Sequence, residues 1–588
     1  MFYEDRHRER IAEVTRLRGI EKKISMARLA AVAAAILAFT ISLALLAAAF
    51  VAAFVALVFL HERTVRRRER AERGARFYEA GIERIEGKWP GKGNAGDRFR
   101  DDHHPYASDL DLFGRGSLFE LISRAATAAG EAKIAAWLAS PSHDAAEIVA
   151  RQEAVAELRD QVDFREEMAI VAGESTAGLD EQRIAAWAAA PPLAFFWWER
   201  LLAVLLPAVT LVLLFLAARP LLLLGPSLAP PWIVVLAVAV QMALARQLGA
   251  RVEIIVSGVE RADRPLDQLA RILRVAHGRQ FRSPLLDSIG RRAGEDAARE
   301  IERLGRLVSL LDARRNQFFA PIALLLLWSS NLAVFIEQWR RRNGEAMLTW
   351  IDAVAELEAL SSLASFAFEN PSFATPVIAG GEPRLEAEEL GHPLIPAARR
   401  VTNDLRLGPD QRLLIISGSN MSGKSTFLRS TGVAAVLAFA GGVVCARSLR
   451  ITPMNVGASI RINDSLQEGA SRFYAEILRI RQILDLAGGG TPLLFLLDEI
   501  LHGTNSHDRR IGAGGVIRRL VETGAMGLVS THDLALAEIA EAIGPHAANV
   551  HFEDHIEDGK MIFDYRMRPG VVTRSNALAL MRSVGIDV

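Results

Sequence analysis

The residues of this chain point to a C-terminal α/β domain of the P-loop type with a mostly parallel sheet, preceded by an all-α region and apolar helical hairpins. Three observations lead there. The stretch Gly418-Ser419-Asn420-Met421-Ser422-Gly423-Lys424-Ser425-Thr426 fits the pattern G-x-x-x-x-G-K-[ST] and follows an apolar run at 413–416. From Arg412 onward, short β-rich runs alternate with helical stretches, the mark of an α/β unit. Before that point the chain reads as helical and carries two long apolar blocks, at 29–60 and 201–245.

The 588 residues leave room for about three or four units. Formal net charge is zero, so the chain as a whole offers no electrostatic argument for nucleic acid, and any basic surface must be local. Cys445 is the one cysteine, so no internal disulfide forms, which suits a reducing compartment.

Residues 1–28 form a charged, helix-compatible segment, read as a solvated or headgroup-facing flank on the cytoplasmic side. Residues 29–60 contain no charge. As one helix they would span about 48 Å, well beyond a ~30 Å hydrocarbon core. Arg16, Arg18, Lys22, Lys23 and Arg28 precede the block, and Arg63, Arg66, Arg67, Arg68 and Arg70 follow it. Positive charge on both flanks favours a hairpin with both ends cytoplasmic, turning near Thr40 to Ser42. Residues 61–100 read as a charged helix and a glycine-rich linker. Residues 101–192 carry apolar residues at helical spacing (Leu118, Leu121, Ile122; Ile134, Trp137, Leu138).

Residues 193–248 form a second expected hairpin. Phe195-Phe196-Trp197-Trp198 resembles an interfacial aromatic belt, and Gly225-Pro226 and Pro230-Pro231 break the block in two. Residues 249–385 are again helical. Within them 318–336 is apolar, but Ser329-Ser330-Asn331 interrupts it, and it is expected as a buried helix of a soluble core. Residues 386–588 make the α/β domain, with strands expected at 413–417, 442–445, 492–497, 526–530, 548–552 and 561–565.

The chemistry sits in the last segment. Gly418, Asn420, Met421, Ser422, Gly423, Lys424, Ser425 and Thr426 form a cradle whose backbone N–H groups close around phosphate oxygens. Lys424 adds a point charge for the outer phosphates. The helix that follows aims its positive end at the anion. Ser425 offers a hydroxyl to Mg²⁺. Some seventy residues on, Leu493-Leu494-Phe495-Leu496-Leu497-Asp498-Glu499 supplies the partner: Asp498 for the magnesium shell, Glu499 to orient or deprotonate the attacking water. Together these predict hydrolysis of a nucleotide, ATP, with Mg²⁺.

These residues resemble the MutS family of DNA mismatch-repair ATPases, over 101–192 and 246–588. The loop looks like G-P-N-M-G-G-K-S-T, with Ser419 and Ser422 in place of Pro and Gly. Gly469-Ala470-Ser471-Arg472-Phe473-Tyr474-Ala475-Glu476 is similar to G-R-S-T-F-x-x-E. Leu497 to Asp508 looks like L-D-E-I-G-R-G-T-S-T-x-D, Ser530-Thr531-His532 like A-T-H, and Gly391-His392-Pro393-Leu394 matches the approach to the first strand. The resemblance implies an ABC-type ATPase domain and a core (lever) domain. It also implies a homodimer with composite ATP sites, in which Ser471 of one subunit reaches the γ-phosphate held by the other. His532 is then expected to contact the γ-phosphate or the water, and Asn420 to position one of them.

The resemblance has gaps. The hairpin and linker occupy the place of the family's mismatch-reading domain, and the connector domain has no counterpart. The expectation is a multi-pass ATPase of the inner or plasma membrane, its ATPase domain cytoplasmic, related to ATP-dependent DNA binding and mismatch repair. DNA itself stays open. Arg261, Arg271, Arg274, Arg279, Arg291 and Arg292 read either as a backbone-binding surface or as a solvated face interleaved with Glu253, Glu260, Asp263 and Asp267. A transport-type ATPase without a DNA role is the competing reading. It lacks an L-S-G-G-Q helix start and intramembrane charges.

Overall fold

The computed structural model describes residues 2–173, 181–221, 225–419, 421–461, 472–502, 505–557 and 560–572. The chain divides into two compact units. The first holds Met1–Arg124, Glu131–Glu166 and Ala359–Val588; the second holds Ala125–Gly130 and Glu167–Glu358.

The described strands, all in the first unit, are β1 (Val377–Ile378), β2 (Leu385–Leu390), β3 (Asn403–Leu407), β4 (Leu413–Ser417), β5 (Ser448–Ile451), β6 (Asn455–Ser459), β7 (Leu493–Asp498), β8 (Met526–Thr531), β9 (Ala547–Glu557) and β10 (Lys560–Pro569). A small mixed sheet has the order β1-β5-β2-β3, and a larger one the order β10-β9-β4-β8-β7-β6. In the larger sheet β4 lies parallel to β8 and β9, and β7 parallel to β8 and β6; β10 alone is antiparallel. Every residue of β4 and β8 is buried. A parallel strand covered on both faces reads as an unbroken apolar run, which is why these strands were visible in the sequence.

Residues 442–445 do not form the expected strand. Gly441, at φ 85°, ends the Lys424–Phe439 helix, and Val444 then makes only an isolated bridge to Ala374. Val443, Val444 and Cys445 are buried but not laddered into a sheet.

Two long helices, Phe2–Thr40 and Ala44–Ile85, pair as an antiparallel hairpin. The turn falls where the charge pattern placed it. Ser42 takes φ 60°, and Leu43 N–H closes onto the Ala38 carbonyl at 2.9 Å. Their polar ends are not a free flank. Tyr3 and Tyr78 are buried, Tyr3 stacks on Phe368 at 5.2 Å, and Tyr78 Oη donates to Glu166 at 2.8 Å. Arg10 reaches the same carboxylate at 2.7 Å. Gly74 and Gly81 permit this approach: a Cβ on Gly81 would lie 2.4 Å from the Tyr3 ring.

In the second unit the Asp263–His277 helix buries Leu266, Leu269, Ala270 and Leu273, one helical face. The Glu295–Asp312 helix answers with Ile301, Leu304, Val308 and Leu311. Four of the basic residues considered for DNA are ion-paired: Arg271 with Asp267, Arg274 with Glu302, Arg291 with Asp287, and Arg292 with Asp352 and Glu356. The second apolar block folds as the helices Trp197–Ala218 and Pro231–Ser257. These two and the first hairpin's pair are long and apolar enough to cross a membrane.

Residues 318–336 are not the buried core helix expected of them. They break into a short Ala320–Leu325 helix and the start of the Trp328–Glu369 helix, with Leu327 at φ 47° between. Phe318 is 90% exposed, Ile322 49% and Leu324 54%.

Candidate functional site

The glycine-rich loop leaves β4 and enters the Lys424–Phe439 helix within seven residues, which demands a backbone most side chains resist. Gly418 takes φ 149° and Gly423 φ 107°, while Met421 sits at φ 70° with an exposed side chain. Gly418 has no room for a Cβ, which would lie 2.8 Å from the Phe552 carbonyl. The loop curls so that the helix N-terminus opens into a cavity of about 860 Å³ lined by Met421, Gly423, Lys424, Ser425, Thr426 and Glu499.

Lys424 is buried, and its ammonium donates to the Gly418 and Ser419 carbonyls, both at 2.8 Å. Burial pulls its pKa below the usual lysine value, while the Glu499, Asp498 and Asp554 carboxylates push the other way. Two further hydroxyls, Ser419 Oγ and Ser422 Oγ, are buried without a hydrogen-bond partner among the described residues. A buried donor left unpaired is unfavourable by about 1–3 kcal/mol. A phosphate oxygen inside the loop would relieve both.

Opposite the loop, β7 ends at Asp498. Ser530 of β8, which pairs with Asp498 across the sheet, donates its hydroxyl to Asp498 Oδ1. The turn after β7 is sharp: Glu499 takes φ 48° and Leu501 φ 57°. Glu499 N–H donates to the Ser530 carbonyl at 3.2 Å, and Leu501 N–H to the buried carboxylate of Glu476 at 2.6 Å. His532, held in a small turn by the Asp533 N–H to Thr531 hydroxyl bond at 2.9 Å, places Nδ1 3.2 Å from Glu499 Oε1. The His502 ring meets the His532 ring edge-on at 5.2 Å, and ligating atoms of Glu499, His502 and His532 all lie within 4.8 Å of one another.

The loop residues Gly418, Met421, Ser422, Gly423, Lys424, Ser425 and Thr426 thus share one end of the sheet with Asp498, Glu499 and His532. Asn420 and Ser471 lie outside the described residues. The donor set suits a magnesium nucleotide: a buried cation, orphaned hydroxyls and a helix N-terminus for the phosphates, with Ser425 and Asp498 for the metal.

Sequence reasoning missed several contributors. Glu476 ends a quoted motif, yet its role as the clamp on the Leu501 turn needs three-dimensional proximity. His502 stands where the resembled pattern has Arg. Asn403 ties down the strand over the loop: its Oδ1 accepts from Met567 N–H at 2.7 Å and its Nδ2 donates to the Tyr565 carbonyl at 3.0 Å. Tyr565, at φ 55°, and Phe563 line the cavity with rings stacked at 6.0 Å. Upstream, His392 also lines it. Burial, with the charges of Arg429 and Arg400 adding, pushes that imidazole down to about 4.

The segment Pro105–Leu112 locks onto the same domain. Ala458 N–H donates to the Pro105 carbonyl at 2.8 Å, and Asp109 Oδ1 accepts from Ile460 and Arg461 N–H, both at 2.7 Å. Comparison with known families then accounts for both regions. Residues 105–364 match MutS domain III, and residues 414–587 match MutS domain V.

Proposed function

The chain belongs to the MutS family, whose domain V is the ATPase domain, and we propose that it works as a membrane-anchored ATPase that closes and reopens a homodimer. The observation that carries this reading is that buried Lys424 and Glu499 line one cavity, with His532 3.2 Å from Glu499 and the Ser419 and Ser422 hydroxyls orphaned in the same loop as Lys424.

Gly418, Ser419, Ser422, Gly423 and Lys424 grip the β- and γ-phosphates of ATP, with Asn420, Met421 and Thr426 completing the loop. Ser425 and Asp498 would hold Mg²⁺, which would neutralise phosphate charge when bound. Glu499 accepts the proton of the attacking water, and the neighbouring His532 holds that carboxylate and faces the γ-phosphate. Ser471 of the second protomer completes the site. A serine hydroxyl is a suitable donor to a terminal phosphate.

The four apolar helices support a multi-pass anchor, with the charged flanks of 29–60 and the ATPase domain on the cytoplasmic side. On this reading 29–60 and 193–248 are the two hairpins, 101–192 and 249–385 the core, and 386–588 the ATPase. DNA is the partner that family membership brings. Binding through Arg271, Arg274, Arg291 and Arg292 would have to displace their intramolecular ion pairs, and since each phosphate contact releases counterions it should fall steeply with salt.

The test is ATP turnover by the full chain in detergent, with and without duplex, mismatched and branched DNA at two salt concentrations. Glu499→Gln should retain ATP binding and lose turnover by at least about 100-fold, the usual weight of a positioned base. Full-rate hydrolysis by that variant removes Glu499 from the mechanism. Stimulation by DNA that fades with salt supports the DNA role; no response to any DNA favours a membrane function without it.

A further inference from the structure

The broken stretch after Asn316 finds its partners in the apolar hairpin of its own unit. Gln241, in the middle of the Pro231–Ser257 helix and buried, donates its amide to the carbonyls of Leu324, at 3.3 Å, and Leu325. The same side chain accepts from Thr210 of the Trp197–Ala218 helix at 2.9 Å. Asn331 donates to the Leu326 carbonyl at 3.1 Å and to the Ala203 carbonyl at 2.9 Å. Carbonyls freed where a helix stops are therefore capped by two amide side chains. In water, solvent would do this. In hydrocarbon, a broken helix is tolerated only where protein groups satisfy it.

Depth can be read along the helices. Arg251 pairs with Glu199 and closes the polar end of the hairpin. From Glu199 up to Thr210 the rise is about 16 Å at 1.5 Å per residue, and from the exposed Arg246 up to Gln241 it is about 8 Å. Both positions fall within a ~30 Å hydrocarbon core. The Leu324 and Leu325 carbonyls thus meet Gln241 inside the core. No charged residue occurs in 316–336; before it, Arg314 and Arg315 are held at the mouth by Glu260, and after it the buried Glu337 pairs with Arg340 at 2.8 Å. The side chains turned away from the hairpin are Phe318, Ile322 and Leu324, all large, apolar and about half or more exposed.

We propose that residues 318–327 are a re-entrant element that dips into the hydrocarbon core beside the second hairpin, with Phe318, Ile322 and Leu324 facing the acyl chains of the cytoplasmic leaflet. The proposal rests on the reading of Trp197–Ala218 and Pro231–Ser257 as membrane spans. It adds a third intramembrane element to the second unit, joined directly to the Glu295–Asp312 and Trp328–Glu369 helices.

The test uses the full chain carrying Cys445→Ser, which removes the one native thiol. Single cysteines replace Ile322 or Leu324, with Leu205 and Val235 as span positions and Glu295 as a water-facing one. Each is spin-labelled and reconstituted into phosphatidylcholine–phosphatidylglycerol vesicles, and collision with oxygen is compared with collision with a water-soluble nickel chelate. Labels at Ile322 and Leu324 should show the oxygen-to-nickel ratio of Leu205 and Val235, not that of Glu295. A lipid-like ratio at Leu205 and Val235 with a water-like ratio at Ile322 and Leu324 overturns the re-entrant element and leaves the spans standing. Water-like ratios at all four overturn both. Gln241→Leu should shift the Ile322 label toward the nickel side by uncapping the break; an unchanged ratio removes Gln241 from its proposed role.

Discussion

Leu501 shows how one side chain can be kept in an unfavourable backbone. The resembled motif has glycine at this position, and the turn after β7 puts it at φ 57°. A left-handed conformation is unfavourable for an L-residue by about 1–2 kcal/mol. The Leu501 side chain is nonetheless buried among Ile500, Ala513 and Ile517, and burying a leucine contributes about 1.5–3 kcal/mol, with a cavity term added when it is removed. Burial wins. Leu501→Gly, although it restores the motif, should destabilise the protein by about 1–2 kcal/mol on those magnitudes. The reading is the thermal midpoint in detergent, and a rise in that midpoint would show that strain dominates. Glu499, two residues earlier in the same turn at φ 48°, carries the same strain for a different reason: its backbone is bonded to Ser530 so that its carboxylate faces His532.

Among the elements, legibility followed burial. β4, β7 and β8 were visible because both faces are covered, so their residues are uniformly apolar. β2 was not, because Leu385–Leu390 carries Glu386, Glu388 and Glu389 and alternates into solvent in a small sheet. The phosphate loop and the Asp498-Glu499 strand end were legible because backbone geometry and metal chemistry admit few residue types there. Glu476 and Asn403 stand in motifs that resemble the family's, but their bracing roles were not legible, since a side chain that braces a distant turn leaves no periodic trace. The two N-terminal helices were read from their apolar tips, but the polar two-thirds is where they dock. There Gly81 holds the Phe2–Thr40 helix close by leaving room for Tyr3. Gly81→Ala should force the Tyr3 ring away and lower stability by about 1–3 kcal/mol, the usual effect of overfilling a packed contact. Adding Tyr3→Ala removes the opposing ring, so the double variant should melt no lower than Tyr3→Ala alone. A double variant that loses the two effects additively would place the Gly81 defect elsewhere.

Across the assembled chain, the site described in one protomer is open on the side where Glu499 and the exposed His502 and His532 stand. Among the described residues, the side-chain donors near that opening are those of the loop, His502 and His532. In the proposed dimer, closure by a second protomer would add the Ser471 hydroxyl, and the same closure would carry any motion to the segment tied to the domain through Asp109 and Arg461. ATP should therefore act as the glue. In detergent with Mg²⁺ and ATP, Glu499→Gln should accumulate as a dimer by mass, because it binds without turning over. Lys424→Ala, which lacks the phosphate cation, should stay monomeric under the same conditions. Ser471→Ala should bind nucleotide yet shift Glu499→Gln back toward monomer, since it removes only the contact made across the interface. A dimer of equal abundance in all three would mean that protomers associate through their membrane helices regardless of nucleotide. Closure would then have to be sought in turnover alone, where Ser471→Ala with undiminished hydrolysis would exclude a composite site.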